Sequence, residues 1–219
     1  MADPWILATR NAGKLRELRD LFASHDISAI DLSEAGVAAD AEAEEVIESF
    51  DSFEENALAK ARYFSAQLPG RIVVADDSGL VVDALGGAPG VRSKRWSGRA
   101  DLEGPVLDAS NNALLLSRLA GETMRAARFV CAAAWCDGVS ERLAMGEVRG
   151  RIVDKPVGEH GFGYDPHLFV EDLGKTMAEA TMAEKRRVGH RGRAFARLIR
   201  ELNGALRRPL GVNRERSGS

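Results

Sequence analysis

Short apolar runs alternate with an amphipathic stretch in the first third of the chain, and this alternation restricts the possible fold more than any other feature. Residues 5–9 form an apolar run that predicts a buried strand. The segment that follows carries Leu15, Leu18 and Phe22 on one helical face, which predicts an amphipathic helix. A second apolar run at residues 72–75 predicts another buried strand. Strand, helix and strand at this spacing indicate an α/β fold.

Capping sequences mark two further helices. Ser52 with Glu55, and Thr181 with Glu184, have the spacing of a capping box at a helix N-terminus. The second of these begins the last helix of the chain, which we expect to end at Gly204.

The middle of the chain predicts a third helix and a hairpin. Residues 111–119 carry leucines at helical spacing. Residues 129–135 and 142–148 predict two strands, and Asp137-Gly138 between them is typical of a tight hairpin turn. Because a hairpin adds an antiparallel pair to the parallel strands, the sheet is predicted to be mixed.

The composition is that of one folded unit. The chain has 219 residues, of which 45% are hydrophobic and 29% charged, enough for one large domain with a core. We assign residues 1–203 to this domain and residues 204–219 to a basic, disordered tail. No stretch approaches the roughly 18 apolar residues of a membrane helix, and the N-terminus lacks the basic start of a signal peptide. We therefore expect a soluble, cytoplasmic protein with no membrane partner.

The charges are strongly segregated along the chain. The formal net charge is −3, but residues 185–219 carry eleven Lys and Arg against two acids. Residues 31–56 hold ten acids and no Lys or Arg. Two such segments either cover separate solvated faces or meet at one ligand that carries both signs of charge. A metal–polyphosphate complex is a ligand of that kind.

A loop between the first strand and the first helix suits phosphate binding. Its residues are Thr9, Arg10, Asn11, Ala12, Gly13 and Lys14. Free backbone N–H groups at a helix N-terminus attract anions, and a lysine adds a positive charge. The loop has neither the Walker A nor the GxGxxG pattern, so an ordinary strand-to-helix turn is an equal alternative.

Two adjacent carboxylates, Asp76 and Asp77, follow the second buried strand and precede Ser78 and Gly79. Carboxylate oxygens at this place can bind Mg²⁺, or each acid can raise the pKa of the other so that one serves as a general base. The alternative is an Asp-rich turn. Because side chains alternate along an extended chain, we expect only one of the two to face the site.

Residues 161–166 read GFGYDP and suit a flat ligand. The glycines allow close approach of the backbone, and Phe162 and Tyr164 offer rings for stacking. A plain turn with two core aromatics is an equal alternative.

A basic segment near the C-terminus supplies hydrogen-bond donors. Lys185, His190 and Arg191 lie around an interruption of the last helix that we expect at residues 189–192. Arginine suits planar recognition of oxygen acceptors, whereas a solvated basic face is the alternative.

These segments together resemble one family. The sequence is similar to the inosine triphosphate pyrophosphatases, which hydrolyse non-canonical purine nucleoside triphosphates (ITP, dITP and XTP) to the monophosphate and pyrophosphate. The resemblance extends from residue 5 to about residue 202. It rests on five blocks in the family's order: ATRNAGKLREL, SFEENALAKAR, ADDSGLVVDALGGAPGVRS, GFGYDPHLF and KTMAEATMAEKRRVGHRGRA.

The resemblance implies a role for each matching residue. Asp77 would be the catalytic proton acceptor and a ligand of the cofactor Mg²⁺. Glu44, with Glu45 as the alternative, would be the second metal carboxylate, although VIESFDS makes this segment longer than the family's. The residues that would bind substrate are Thr9, Arg10, Asn11, Ala12, Gly13, Lys14, Ser78, Phe162, Gly163, Tyr164, Asp165, Lys185, His190 and Arg191. The implied fold is a two-lobed α/β unit around a long mixed β-sheet with flanking helices, usually a homodimer.

Two other functions are kept as alternatives. One is a pyrophosphatase for modified pyrimidine nucleotides, against which the GFGYDP and HRGR blocks argue. The other is a nucleic-acid-binding module that uses the basic C-terminal region. Such a module has no use for paired carboxylates, so we expect a purine nucleoside triphosphate as substrate and no stable nucleic acid partner.

Overall fold

The structure, a computed structural model, describes residues 3–206, apart from the side chains at positions 41, 45, 205 and 206. Within these residues, seven strands form one sheet in the order β2-β1-β3-β4-β5-β6-β7. The strands are β1 Trp5–Leu7, β2 Ala29–Asp31, β3 Val73–Val82, β4 Ala126–Cys136, β5 Glu141–Ile152, β6 Leu168–Val170 and β7 Lys175–Thr176. The helices are α1 Ala12–Ala23, α2 Ala41–Ile47, α3 Phe53–Gln67, α4 Gly104–Arg118, α5 Met182–Val188 and α6 His190–Leu206.

The sheet is mixed, as the sequence predicts. β1 pairs in parallel with β2 and with β3. The remaining pairs are antiparallel, namely β3–β4, β4–β5, β5–β6 and β6–β7. The α/β prediction is therefore confirmed. In the described part of the chain, no helix is both long and apolar enough to cross a membrane.

Both capping sequences start helices where predicted. At the start of α3, Ser52 Oγ accepts a hydrogen bond from Glu55 N at 3.2 Å. At the start of α5, Thr181 and Glu184 each accept a hydrogen bond from the other's backbone N–H, which completes a capping box. α4 begins earlier than predicted, at Gly104, because a proline lies in its first turn, where the missing N–H is not needed.

The break in the last helix is shorter than predicted. Gly189 alone leaves the helical conformation, with φ −67° and ψ 153°, and His190 already belongs to α6. The prediction that Gly204 ends this helix is wrong, because α6 continues to Leu206, beyond the predicted domain boundary at residue 203. One glycine lowers helix stability by only about 1 kcal/mol. From position 207 onwards, the predicted tail lies outside the described residues.

Three hydrophobic clusters lie along the long strands β3, β4 and β5, two of them at one end of these strands and the third at the other end. At one end, a cluster with Ala57 and Phe64 joins α3 to one face of the sheet, and a cluster with Phe22 and Phe195 joins α1 and α6 to the opposite face. At the other end, a third cluster contains Leu115 of α4 together with the ends of the long strands and β6. This division gives the two lobes that the resemblance implies.

Helix α6 lies directly on β5 at Gly146. A Cβ atom at this position would lie 3.0 Å from Ala194 Cα and closer still to backbone atoms of His190 and Ala194. Contacts this short do not occur in packed interiors without a shift of the neighbours. Glycine at position 146 therefore lets the first turn of α6, which carries His190 and Arg191, touch the sheet.

We expect Gly146→Ala to lower the free energy of unfolding by about 1–3 kcal/mol, because α6 must move away from β5. Gly204→Ala is the control, since a Cβ there meets nothing within 4 Å. That change should raise stability by up to about 1 kcal/mol, the helix preference of alanine over glycine. Urea unfolding of the three proteins measures both effects. Equal stability of Gly146→Ala and the wild type would contradict the close approach of α6.

Candidate active site

Two adjacent carboxylates organise the site from the middle of β3. Asp76 and Asp77 do not end the strand, because β3 stays paired with β4 as far as Val82, and the alternative of an Asp-rich turn is excluded. The two side chains point to opposite faces of the sheet, as expected from strand alternation. Asp76 Oδ2 accepts a hydrogen bond from Arg191 of α6 at 3.1 Å, whereas Asp77 Oδ2 accepts one from Asn56 of α3 at 3.0 Å.

Asp76 is fully buried and surrounded by cations. Its Oδ2 lies 3.2 Å from Lys14 Nζ as well as 3.1 Å from Arg191. Burial by itself would raise the pKa of Asp76, but the charges of Lys14, Arg191 and Lys60 outweigh it and hold this pKa well below its ordinary value. Asp76 is therefore ionised, and it ties α1 and α6 to the sheet.

Asp77 is buried on the α3 face, and its environment shifts its pKa in the direction opposite to that of Asp76. Its Oδ1 accepts the backbone N–H of Ser78 at 2.9 Å. Burial raises the pKa of Asp77, the Glu48 carboxylate adds to this, and Lys14 and Lys60 offset only part of it. A carboxylate with a raised pKa is a stronger proton acceptor than one with an ordinary value, which suits Asp77 to the role of a general base.

Two lysines meet at one backbone oxygen. The Nζ atoms of Lys14 and Lys60 lie 3.4 Å and 3.1 Å from the carbonyl oxygen of Asp76. Two positive charges this close repel each other, and a polyanion between them relieves the repulsion. The sequence analysis missed Lys60. The available signal was that Asn56 and Lys60 are polar residues at core-facing positions of α3, where both are buried.

The loop of residues 9–14 leads into the start of α1, as the sequence predicts. Asn11 is the N-cap, and its Oδ1 accepts the backbone N–H of Lys14 at 2.9 Å. Thr9 Oγ1 accepts the backbone N–H of Asn11 at 3.3 Å. Ala12 and Gly13 form the first helical turn beside them. Arg10 turns away from this turn, and its Nε donates to Glu44 at 2.8 Å.

The acidic segment brings Glu48 to the site, whereas Glu44 pairs with Arg10. Glu48 forms an ion pair with Lys60, and its charge acts on Asp77. The structural reason is a backbone clamp that the sequence does not show. Asn56 Oδ1 accepts Phe50 N at 2.9 Å and its Nδ2 donates to Phe50 O at 3.2 Å, which turns the chain after α2 back toward Asp77.

The geometry therefore favours Glu48 over Glu44 as the second carboxylate beside Asp77. The side chain of the alternative, Glu45, lies outside the described residues.

Arg191 is buried and faces inward from the first turn of α6. It donates to Asp76, to Ser78 Oγ at 2.8 Å, and to Glu17 of α1. The alternative of a solvated basic face is therefore wrong for this residue. Glu17, which the sequence analysis missed, lies one turn after Lys14 on α1, and this spacing was the available signal.

Lys185 is also buried, in a network of acids. Its Nζ lies 2.5 Å from Asp165 Oδ2 and 3.3 Å from Glu17 Oε1. Burial by itself would lower the pKa of Lys185, but the two carboxylates outweigh it and raise this pKa. His190 lies beside this network, with its ring 4.9 Å from that of Phe129. Burial and the Arg191 charge lower the pKa of His190 well below its ordinary value, so its imidazole is neutral.

The segment with GFGYDP divides into residues that face the site and residues that do not. Phe162 faces it, since its ring lies against Gly13 and 5.8 Å from the Arg191 guanidinium carbon. Tyr164 instead belongs to the third hydrophobic cluster and donates its hydroxyl to Ser93 O at 2.8 Å. Tyr164 is thus a core aromatic, and its place in the nucleoside pocket stays a prediction. The backbone of Gly163 is held by α4.

Comparison with known proteins places this site in a family. A sequence model of the Ham1 family matches residues 5–201. A Frankia alni protein named dITP/XTP pyrophosphatase is 46% identical over 203 residues, which are 90% of this chain and 97% of that protein.

Solved structures agree with this match. A HAM1 protein from Coxiella burnetii superposes with a TM-score of 0.77 at 33% identity, over 93% of this chain and 100% of that chain. A nucleoside-triphosphatase (dITP/XTP pyrophosphatase) from Mycobacterium abscessus superposes with a TM-score of 0.66 at 40% identity, over 90% of this chain and 99% of that chain.

We expect Asp76→Asn to lower the free energy of unfolding by about 3–5 kcal/mol, because it leaves Lys14 and Arg191 buried without this counter-charge. The folded-state pKa of Asp76 is lowered, so its stabilisation is complete above its ordinary pKa of about 3.9 and is lost as the pH falls below that value. Asp83→Asn, which breaks a half-exposed ion pair with Arg128, should change stability by at most about 1 kcal/mol. Urea unfolding at pH 7 compares the two variants. A loss no larger than that of Asp83→Asn would contradict the structural role of Asp76.

Proposed function

This chain belongs to the Ham1 family, and on that premise we propose that it hydrolyses non-canonical purine nucleoside triphosphates (ITP, dITP and XTP) to the monophosphate and pyrophosphate. One observation carries the proposal. Asp77, a buried carboxylate with a raised pKa, lies beside Lys14 and Lys60, which meet at the Asp76 carbonyl oxygen. Hydrolysis of a polyphosphate needs such a proton acceptor next to paired cations. The relatives named dITP/XTP pyrophosphatase support the substrate class.

The chemical step is attack of water on a phosphorus of the α–β anhydride. Asp77 accepts the proton of the attacking water, the bond from phosphorus to the bridging oxygen breaks, and pyrophosphate leaves. Lys14, Lys60 and the backbone N–H groups at the start of α1 hold the phosphates and stabilise the negative charge that builds up. Positioning and charge account for most of the catalysis of such transfers.

A divalent cation, Mg²⁺, completes the proposal, and Asp77 and Glu48 would hold it. Among the described side chains, no three or more of His, Cys, Asp and Glu form a ready metal cage. This agrees with Mg²⁺, which binds through one or two carboxylates plus substrate phosphates and keeps several waters. When bound, the cation neutralises phosphate charge and lowers the pKa of water.

Base selection follows from the groups near Phe162. The Phe162 ring offers a stacking surface next to the loop of residues 9–14, and the Arg191 guanidinium carbon lies 5.8 Å from that ring. Hypoxanthine and xanthine present a carbonyl acceptor at the purine 6-position, whereas adenine presents an amino donor that would face donors unpaired. One unpaired buried polar group costs about 1–3 kcal/mol. Because guanine also carries a 6-carbonyl, a substrate comparison must include GTP.

We further propose that the enzyme is a cytoplasmic homodimer, as the family resemblance implies. A stable nucleic acid partner is not proposed, because residues 1–184 carry a net charge of −12, which opposes binding to a phosphate backbone.

The test of the proposed function is pyrophosphate release from ITP, dITP, XTP, GTP, ATP and dUTP in the presence of Mg²⁺. We expect kcat/KM for ITP and XTP to exceed that for ATP by about 10²-fold or more. Asp77→Asn should lower kcat at least about 10²-fold, a typical contribution of a general base, while its unfolding free energy stays near that of the wild type. Asp83→Asn is the matched control and should keep full activity.

Two results would contradict this assignment. A preference for dUTP would favour the pyrimidine alternative, and a wild-type rate in Asp77→Asn would remove the proton acceptor.

The second carboxylate is tested by comparing Glu48→Gln with Glu44→Gln. We expect Glu48→Gln to raise the Mg²⁺ concentration for half-maximal activity at least tenfold, roughly the effect of weakening a metal site, and Glu44→Gln to raise it much less. Titration of EDTA-treated protein with Mg²⁺ gives both values, and melting temperatures show that the variants are folded. A larger effect of Glu44→Gln would restore the assignment made from the sequence.

A further inference from the structure

Helix α4 holds the backbone of the segment that carries Phe162. Gly163 N donates to Asp108 Oδ2 at 2.8 Å, and Gly163 O accepts from Asn112 Nδ2 at 3.0 Å. Asp108 and Asn112 are one helical turn apart on α4, so they lie on the same face of this helix. Together they bind the backbone N–H and the carbonyl oxygen of Gly163. Because Gly163 directly follows Phe162, these two bonds help to place the Phe162 backbone, whose N–H also donates to Asp165 Oδ2 at 3.2 Å.

Gly163 has no side chain to anchor it, and its φ of 62° lies in the left-handed region that favours glycine. The two hydrogen bonds to α4 therefore tie this point of the chain to the helix.

The same helix also holds the neighbouring loop. Asn111 Oδ1 accepts Ser97 N at 2.8 Å, and Asn111 Nδ2 donates to Lys94 O at 3.0 Å. That loop joins the Phe162 segment through the Tyr164 hydroxyl, which donates to Ser93 O. Three polar side chains of α4 thus set the relative position of two loops.

Packing in the hydrophobic core does not account for the positions of Asp108 and Asn112 on α4. The buried apolar residue of α4 is Leu115, in its C-terminal half, whereas in the N-terminal half Asn111 is the buried side chain and Val106 is 61% exposed. The two residues that grip Gly163 are half-buried and contact the loop rather than the core.

We propose that Asp108 and Asn112 are positioning residues for the nucleoside end of the substrate. They act through Gly163, and they keep the Phe162 ring against Gly13 and near Arg191, where a purine base stacks. This inference rests on the proposed function. The phosphate groups of the substrate bind at Lys14 of α1 and Lys60 of α3, so loss of the clamp on α4 weakens base binding and leaves phosphate binding intact.

The test compares Asp108→Ala and Asn112→Ala with two controls. Asp108→Asn keeps an oxygen that can accept Gly163 N–H, and Ser110→Ala changes a side chain of α4 that makes no hydrogen bond in the described part of the chain. For both alanine variants at the clamp we expect KM for ITP to rise about tenfold or more, with a much smaller change in kcat, whereas both controls stay near the wild type. Calorimetric titration should show weaker binding of ITP and unchanged binding of inorganic tripolyphosphate.

Two outcomes would overturn the inference. One is an unchanged KM in Asp108→Ala and Asn112→Ala. The other is an equal loss of ITP and tripolyphosphate binding together with a lower melting temperature, which is the result for a general scaffold. Failure of the proposed function is visible in the wild type alone, as absence of pyrophosphate release from every purine nucleotide. In that case the same titrations with ITP and tripolyphosphate still decide whether α4 positions the base-binding segment.

Discussion

Asp76 lies in the middle of β3 with its carboxylate fully buried, and cations from three helices converge on this residue. Lys14 comes from α1, Lys60 from α3 and Arg191 from α6. A buried ion is stable only when it is paired, so these helices must approach the same point of the sheet from both faces. The positive charge that suits a polyphosphate is thus assembled by a carboxylate that need not react.

Asp76 and Asp77 show how neighbours in sequence acquire different chemistry. The alternation of a strand sends one carboxylate toward α6 and the other toward α3. On the α6 side the cations lower the pKa of Asp76, and on the α3 side burial and Glu48 raise the pKa of Asp77. One side chain then holds the framework together while the other is available to take up a proton. The two carboxylates thus lie on opposite faces of one sheet, in environments that shift their pKa values in opposite directions.

Part of the candidate site could be predicted from short segments. The loop of residues 9–14 follows from a strand, a turn and a helix that are adjacent in sequence, and Asp77 follows from a separate buried strand. The structure brings the two segments together, since Lys14 Nζ lies 3.4 Å from the carbonyl oxygen of Asp76. Glu48 and Lys60 could not be found in this way, because their position depends on Asn56, which clamps Phe50 and turns the acidic segment back to the site. Their roles at the site stay predictions until the variants are measured.

The sequence by itself determined the α/β class, the mixed sheet, the starts of α3 and α5 and the hairpin, because periodicity, caps and turns depend on residues a few positions apart. The tertiary structure alone decided which polar side chains share the site. Tyr164 shows the difference, since its place beside glycines allows stacking or burial, and only Ser93, far away in the chain, draws its hydroxyl into the core. Buried hydrogen bonds and ion pairs join residues that are distant in sequence, so their partners follow from the packing of the whole chain.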